Sequence, residues 1–293
     1  MVGTLLGALF FVNYGYTFES SLIRSLPFPE GHAGFYFLFY FAPYALTHAV
    51  YAFATLDFSI VRRKEFWILS LFAFIILAIY VTLHNGPWYL LKTQPSLFEG
   101  LPREYQPFAA RCASNILPLT LMSIPLIAYW WKADRKAMPL YGFSAKTITL
   151  RSYFVILLML VPIVIAASFT PDFQHAYPRY KFGFPEFAGA GQRRAFLGLY
   201  EFCYGADFVF VEFFFRGFMI LAFARLFGPK VIIPMVVAYA MIHFEKPLLE
   251  ALSSILGGLV LGIISYRTRS IYGGVIIHLG IAYTMEIAGA LQM

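Results

Sequence analysis

Residues 207–227 read DFVFVEFFFRGFMILAFARLF, an apolar run that carries Glu212 and Arg216 in its middle. Its length matches the ~20 residues that a helix needs to cross the hydrocarbon core of a bilayer. An ionisable side chain at that depth costs roughly 2.5–3.5 kcal/mol on insertion scales, so it persists mainly where a site needs it. Glu212 and Arg216 therefore predict a membrane-spanning helix that carries part of a functional site.

The whole composition extends this pattern. Sixty per cent of the residues are apolar, 19% are aromatic and only 13% are charged, whereas a soluble domain has about 25% charged residues. A water-soluble globule is therefore excluded. Further apolar runs lie at residues 35–56, 66–83, 112–131, 153–169, 231–243, 249–266 and 271–291. With residues 1–18 as a possible first helix, we predict an all-α, polytopic transmembrane helix bundle of eight or nine spans.

The chain divides into two halves by its connections and its polar residues. We interpret residues 1–150 as accessory transmembrane helices with long, Pro-rich connections, and residues 151–293 as the working core. The excess of seven positive charges reports membrane orientation before any affinity for nucleic acid. The predicted loops 84–111 and 170–194 lie on the side with fewer Lys and Arg residues, which predicts that they face outward.

Three ionisable groups on neighbouring helices are expected to converge. Glu212 and Arg216 are four residues apart, so they share a helix face and can pair. Gly228-Pro229 turns the chain, which makes the next helix antiparallel and brings His243, at its end, to the depth of Glu212. Small residues near the start of the last helix allow close packing, which brings His278 against the Glu212 helix.

This set of residues suits hydrolysis. A carboxylate beside imidazoles can hold and deprotonate a water, which assigns Glu212 as general base. Arg216 would keep Glu212 ionised, because an adjacent cation stabilises the carboxylate. His243 and His278 would orient the water and stabilise the oxyanion. The competing interpretation is a His₂Glu zinc set of His243, His278 and Glu212 with an open fourth position. The spacing His-x-x-x-His with a Glu between, common in zinc proteases, is absent, which favours the metal-free interpretation.

The same residues resemble two motifs of the CAAX protease and bacteriocin-processing family of glutamic intramembrane proteases, which includes the type II CAAX prenyl endopeptidases. The family's Glu-Glu-x-x-x-Arg motif is matched by Val211-Glu212-x-x-x-Arg216. Its Phe-x-x-x-His motif is matched by Tyr239 through His243, with one aromatic residue exchanged for another. The resemblance implies an endopeptidase that acts within the membrane and assigns Tyr239 a supporting place in the site.

The third motif of that family, a His followed four residues later by Asn or Asp, is only half present. His278 stands in place, but the fourth position is Ala282. In the family the first glutamate of the pair usually activates the water, and here that position is Val211. Either Glu212 takes the whole task or another acid helps. Glu201, three turns back on the same helix face, and Glu286, two turns after His278, are the candidates.

We therefore predict an intramembrane endopeptidase with catalytic Glu212, Arg216, His243 and His278, and with no cofactor. Its expected partners are the lipid bilayer and a membrane-anchored or lipidated protein substrate, and not nucleic acid. The expected location is a bacterial or archaeal cytoplasmic membrane. Three alternatives remain: a catalytically inactive relative that binds membrane peptides or acts as a scaffold, a zinc-dependent protease, and a polytopic protein that uses these residues as a proton relay.

Overall fold

The computed structural model describes residues 2–145, 149–181 and 189–293, and every regular element within these ranges is helical. The α-helices are α1 (Val2–Tyr16), α2 (Phe18–Ile23), α3 (Glu30–Thr55), α4 (Lys64–Thr93), α5 (Gln106–Tyr129), α6 (Leu150–Ala167), α7 (Pro171–Ala176), α8 (Ala190–Glu212), α9 (Phe223–Phe227), α10 (Ile232–Met241), α11 (Leu248–Thr268) and α12 (Tyr272–Leu291). Two π-helical segments, Trp130–Asp134 and Phe213–Ala222, and short 3₁₀ turns connect them. The predicted all-α class is confirmed.

The predicted number of eight or nine spans is not confirmed. Within the described ranges, seven helical stretches are long and apolar enough to cross a bilayer. Helix α1 has only 15 residues and is not among them. The predicted runs 207–227 and 231–243 fall together in one continuous helical stretch, Gly191–Met241.

That stretch nevertheless folds back on itself at Gly228. Gly228 has φ 65°, a backbone conformation that side-chain-bearing residues rarely adopt, and it ends α9 before α10 begins. The Arg216 guanidinium, before the turn, lies 3.9 Å from the centroid of the Tyr239 ring, after the turn. The antiparallel arrangement inferred from Gly228-Pro229 is therefore present. It brings the helical segment that carries Arg216 beside α10, which carries Tyr239.

The segment Phe213–Ala222 continues α8 as a π-helix of ten residues, all of them buried. A π-helix bonds each residue to the fifth along the chain, and such segments are rare and occur frequently at functional sites. The segment begins one residue after Glu212 and contains Arg216. The backbone is therefore irregular at the ion pair itself.

Helix α4 runs further than the sequence predicted. The apolar run was expected to end at residue 83 and to be followed by a loop, but α4 continues through the buried Pro87 to Thr93. Within a packed bundle a helix tolerates proline, since neighbouring groups can satisfy the backbone carbonyl that proline leaves free. The extension places His84 on a helix inside the bundle instead of in a surface loop.

Glycines set the closest helix contacts around the future site. A Cβ atom on Gly274 of α12 would overlap the Glu212 carboxylate, and one on Gly258 of α11 would come within 2.9 Å of the Tyr239 ring. The close approach predicted for the last helix is thus present. It depends on the absence of a side chain at Gly274, and Gly258 plays the same part between α11 and α10.

Candidate active site

Glu212 lies at the centre of a buried cluster of charged and polar groups. Its Oε1 atom is 3.1 Å from Nη1 of Arg216 and 2.9 Å from Nδ1 of His278. Its carboxylate is wholly buried, as is the Arg216 side chain, and Oε2 has no hydrogen-bond partner among the described residues. The α8 end, the π-helix and α12 therefore meet at one carboxylate oxygen.

Arg216 is held by charge on one side and by an aromatic ring on the other. Besides Glu212, its guanidinium contacts the face of Tyr239, at 3.9 Å from the ring centroid. Such a cation–π contact contributes about 2 kcal/mol when it is desolvated. Breaking a buried ion pair by removing one partner costs about 3–5 kcal/mol, because the remaining charge is left without compensation. The pair therefore fixes the geometry of the motif helix.

His243 follows α10 in the turn before α11, and its protonation is defined by its contacts. Nδ1 lies 2.9 Å from the carbonyl oxygen of Tyr239. A carbonyl only accepts hydrogen bonds, so Nδ1 carries the proton and Nε2 of the neutral ring has a free lone pair. Burial lowers the pKa of His243 to about 3, which keeps the ring neutral at ordinary pH. Nε2 of His243 is therefore available to accept a hydrogen bond.

His243 and His278 line the same cavity, which has a volume of about 200 Å³. Glu212 does not line it. The lining residues come from both halves of the chain and are mostly polar or aromatic: Glu19, Tyr40, Tyr80, Val81, His84, Asn85, Arg111, Ser114, Asn115, Arg179, Tyr200, Tyr204, Asp207, Phe208, Val211, Ile242, His243, Glu245, Lys246, Glu250 and His278. The cavity can hold water and polar groups of a peptide in an otherwise apolar bundle.

The possible supporting residues named from the sequence have different positions. Glu286 accepts hydrogen bonds from the backbone N–H of Arg179 at 3.0 and 2.9 Å, which anchors the chain before α8. Ala282 is buried beside Tyr200 and Tyr204, which themselves line the cavity. Neither Glu286 nor Ala282 lines the cavity directly.

Glu201 also lies away from the cavity, and its Oε2 atom is buried without a hydrogen-bond partner among the described residues. Tyr239 contributes its ring to Arg216 and its carbonyl oxygen to His243. Tyr239 thus joins the first and second motifs physically.

Sequence reasoning missed a second acid at the site. Asp207 lines the cavity, and its Oδ1 accepts a hydrogen bond of 2.7 Å from the Tyr80 hydroxyl. Its Oδ2 lies 3.8 Å from Nδ1 of His84. One signal was available: Asp207 stands four residues before Val211, so both occupy the same helix face. His84 had no such signal, because it was expected to lie in a loop.

The zinc alternative requires three protein ligands around one point. No group of three or more His, Cys, Asp or Glu side chains is arranged to hold a metal ion in residues 2–145, 149–181 and 189–293. Oε1 of Glu212 is already shared by His278 and Arg216. The described side chains therefore do not fit the His₂Glu set.

Comparison with known families agrees with the geometry. A family model described as type II CAAX prenyl endopeptidase Rce1-like matches residues 204–284. This region of the chain is similar to that family. The matched range spans all three motif positions, confirms the resemblance seen in the sequence, and supports a protease in an integral, multi-pass membrane protein. No curated protein and no solved structure matches the chain.

Proposed function

We propose that this protein is an intramembrane endopeptidase that hydrolyses a peptide bond of a membrane-anchored protein. The observation that carries the proposal is the 2.9 Å contact between Glu212 and His278 beside a cavity that His278 shares with His243. The Rce1-like match over the same residues supports it. A lipid-anchored substrate fits an enzyme whose site lies among membrane helices, since the bilayer would deliver the anchor.

In the proposed mechanism the two histidines have separate tasks. The lone pair on Nε2 of His243 accepts a hydrogen bond from the attacking water and orients it. His278 stabilises the oxyanion that forms on the scissile carbonyl, and the Glu212 carboxylate, 2.9 Å from its Nδ1, orients the ring. Arg216 holds the Glu212 carboxylate in place through the 3.1 Å contact between them.

This scheme changes the role first assigned to Glu212. The sequence suggested direct proton abstraction from water, but the carboxylate is wholly buried and does not line the cavity. Glu212 therefore acts through His278, in the way that a buried acid orients a histidine in other hydrolases.

The experiment is cleavage of a quenched fluorescent peptide that carries an S-farnesyl cysteine near its C-terminus, with the purified protein in liposomes. We expect turnover by the wild-type protein, loss of at least 10²-fold in kcat for His243→Ala and His278→Ala, and no change for His175→Ala, an exposed histidine of α7. Turnover that survives chelation would support the metal-free scheme. A second peptide with an N-terminal lipid tests an exported, lipid-anchored substrate.

A second candidate is a non-catalytic relative that binds membrane peptides. The observation that favours it is the absence of the motif acid at Val211, together with the burial of Glu212 away from the cavity. Binding of both lipidated peptides to liposomes that contain the protein, without cleavage of either, would select this candidate and overturn the protease proposal.

A further inference from the structure

We propose that Asp207 is the water-activating carboxylate of this site and stands in for the acid that the first motif carries at the position of Val211. This inference rests on the proposed protease function. Val211 carries no carboxylate and Glu212 does not line the cavity, so another acid is needed to reach the water.

The position of Asp207 meets the first requirement. Asp207 and Val211 are four residues apart on α8, and both line the cavity with His243 and His278. Phe208, the next residue, packs edge-on against His278 with ring centroids 4.6 Å apart. The residue next to Asp207 thus contacts His278, the histidine that also contacts Glu212.

The contacts of Asp207 meet the second requirement, one anchored oxygen and one available oxygen. The Tyr80 hydroxyl donates to Oδ1 at 2.7 Å and fixes the orientation of the carboxylate. Oδ2 is 3.8 Å from Nδ1 of His84, beyond hydrogen-bond distance, and no hydrogen bond to it is found in the described part of the chain. A gap of this size suits a bridging water. The side chain is 13% exposed, in contrast to the fully buried Glu212.

The other acids of the cavity are less suited. Glu250 accepts a hydrogen bond of 2.8 Å from Tyr177 and lies 3.9 Å from Nζ of Lys246. Glu19 belongs to α2 and Glu245 to the turn after α10, so neither lies on the helix that carries the first motif. Among the acids that the structure describes at the cavity, Asp207 is the one that lies on that helix face.

The chemistry balances with Asp207 as both base and acid. The carboxylate takes one proton from the water while the water oxygen bonds to the carbonyl carbon, and the carbonyl electron pair moves to the oxygen that His278 stabilises. When this intermediate collapses, the C–N bond breaks and Asp207 returns the proton to the leaving nitrogen. One peptide bond and one water yield a carboxylic acid and an amine, and no further reactant is needed.

The test compares Asp207→Asn with Asp172→Asn, a matched change at an exposed aspartate of α7, in the lipidated-peptide assay. Asparagine keeps the size of the side chain and can still accept from Tyr80. We expect Asp207→Asn to lower kcat by 10²–10⁴-fold with an unchanged melting temperature, the range for loss of a general base. Asp172→Asn should match the wild type.

A compensating substitution then separates catalysis from structure. Val211→Glu places a carboxylate one turn along the same cavity wall, so it should restore activity to Asp207→Asn by at least tenfold. Activity of Asp207→Asn within threefold of the wild type, or a folded Asp207→Asn that Val211→Glu does not rescue, would overturn the role of Asp207 while the protease function stands. A wild-type protein that cleaves neither lipidated peptide would overturn the protease function itself.

Discussion

Oε1 of Glu212 lies 2.9 Å from Nδ1 of His278 and 3.1 Å from Nη1 of Arg216. One carboxylate oxygen therefore joins α12 to the helical segment that carries Glu212 and Arg216. Neither of these two side chains is exposed. Because both the fold and the proposed chemistry depend on this oxygen, variants at Glu212 must be tested for stability and activity together.

Glu212→Gln should remove activity and also destabilise the protein. The substitution leaves the Arg216 charge buried without a partner, which costs about 3–5 kcal/mol. The double variant Glu212→Gln/Arg216→Met removes both charges and should recover much of that stability, yet stay inactive because His278 has lost its carboxylate. Unfolding in detergent and peptide cleavage measure the two effects. An active Glu212→Gln, or a double variant no more stable than the single one, would contradict this account.

Gly274→Ala should disable the site through packing alone. A Cβ atom at Gly274 would overlap the Glu212 carboxylate and push it from His278, so we expect at least a tenfold loss of kcat. Gly257→Ala on α11 is the matched control, because nothing lies within 4 Å of a Cβ atom there. Alanine in a helix interior is favoured over glycine by about 1 kcal/mol, so the control should be active and slightly more stable. If the two variants have the same activity and stability, the close packing of α12 against Glu212 is wrong.

The pH dependence of stability should report the neutral state of His243. Its pKa is lowered by burial to about 3 in the folded protein, against an ordinary value near 6.5, so the unfolded chain binds more protons between these values. Stability from this residue is therefore complete above pH 6.5 and falls as the pH drops toward 3, by up to about 1.4 kcal/mol per pH unit. His243→Gln should flatten that part of the profile. Parallel wild-type and variant curves from pH 4 to 7 would contradict it.

Membrane orientation can be tested with cysteine labelling at Asp172. The charge distribution predicts that the 170–194 loop faces outward, and Asp172 is an exposed position within its described part. In a background with Cys112 and Cys203 replaced by serine, Asp172→Cys should react with a membrane-impermeant thiol reagent on intact cells. A substitution at exposed Arg62, in the connection between α3 and α4, should label only after permeabilisation. The reverse pattern would place the site on the cytoplasmic side.

Much of the candidate site could be predicted from the sequence, because each ionisable residue within an apolar run by itself indicates a buried polar site. The pairing of Glu212 with Arg216 followed from their i,i+4 spacing, and the place of His243 followed from the turn at Gly228-Pro229. The contact of His278 needed only a last helix with small residues at its start. These are local rules, and they hold wherever neighbouring helices pack antiparallel. The division into residues 1–150 and 151–293 stays a prediction.

The remainder depended on features that periodicity does not encode. His84 was assigned to a loop because Pro87 follows it, yet tertiary packing carries α4 through that proline. Asp207 was interpreted as the first residue of an apolar run, and its hydrogen bond to Tyr80, which is distant in the sequence, could not be predicted from that run. The predicted number of spans is not confirmed, because the seven stretches found in the described residues take the two helices on either side of Gly228 as one and leave out the 15-residue α1.

Because Phe213–Ala222 is a π-helix, the geometry of the candidate site depends on the number of residues in this segment. Each residue advances an α-helix by 100°, so one residue deleted from this segment would let the backbone close into ordinary α-helical bonding while rotating everything beyond it. Arg216, or the residues that pack around it, would then change orientation relative to His278. An insertion or deletion within these ten buried residues therefore alters the geometry of the candidate site and the packing of the helix together.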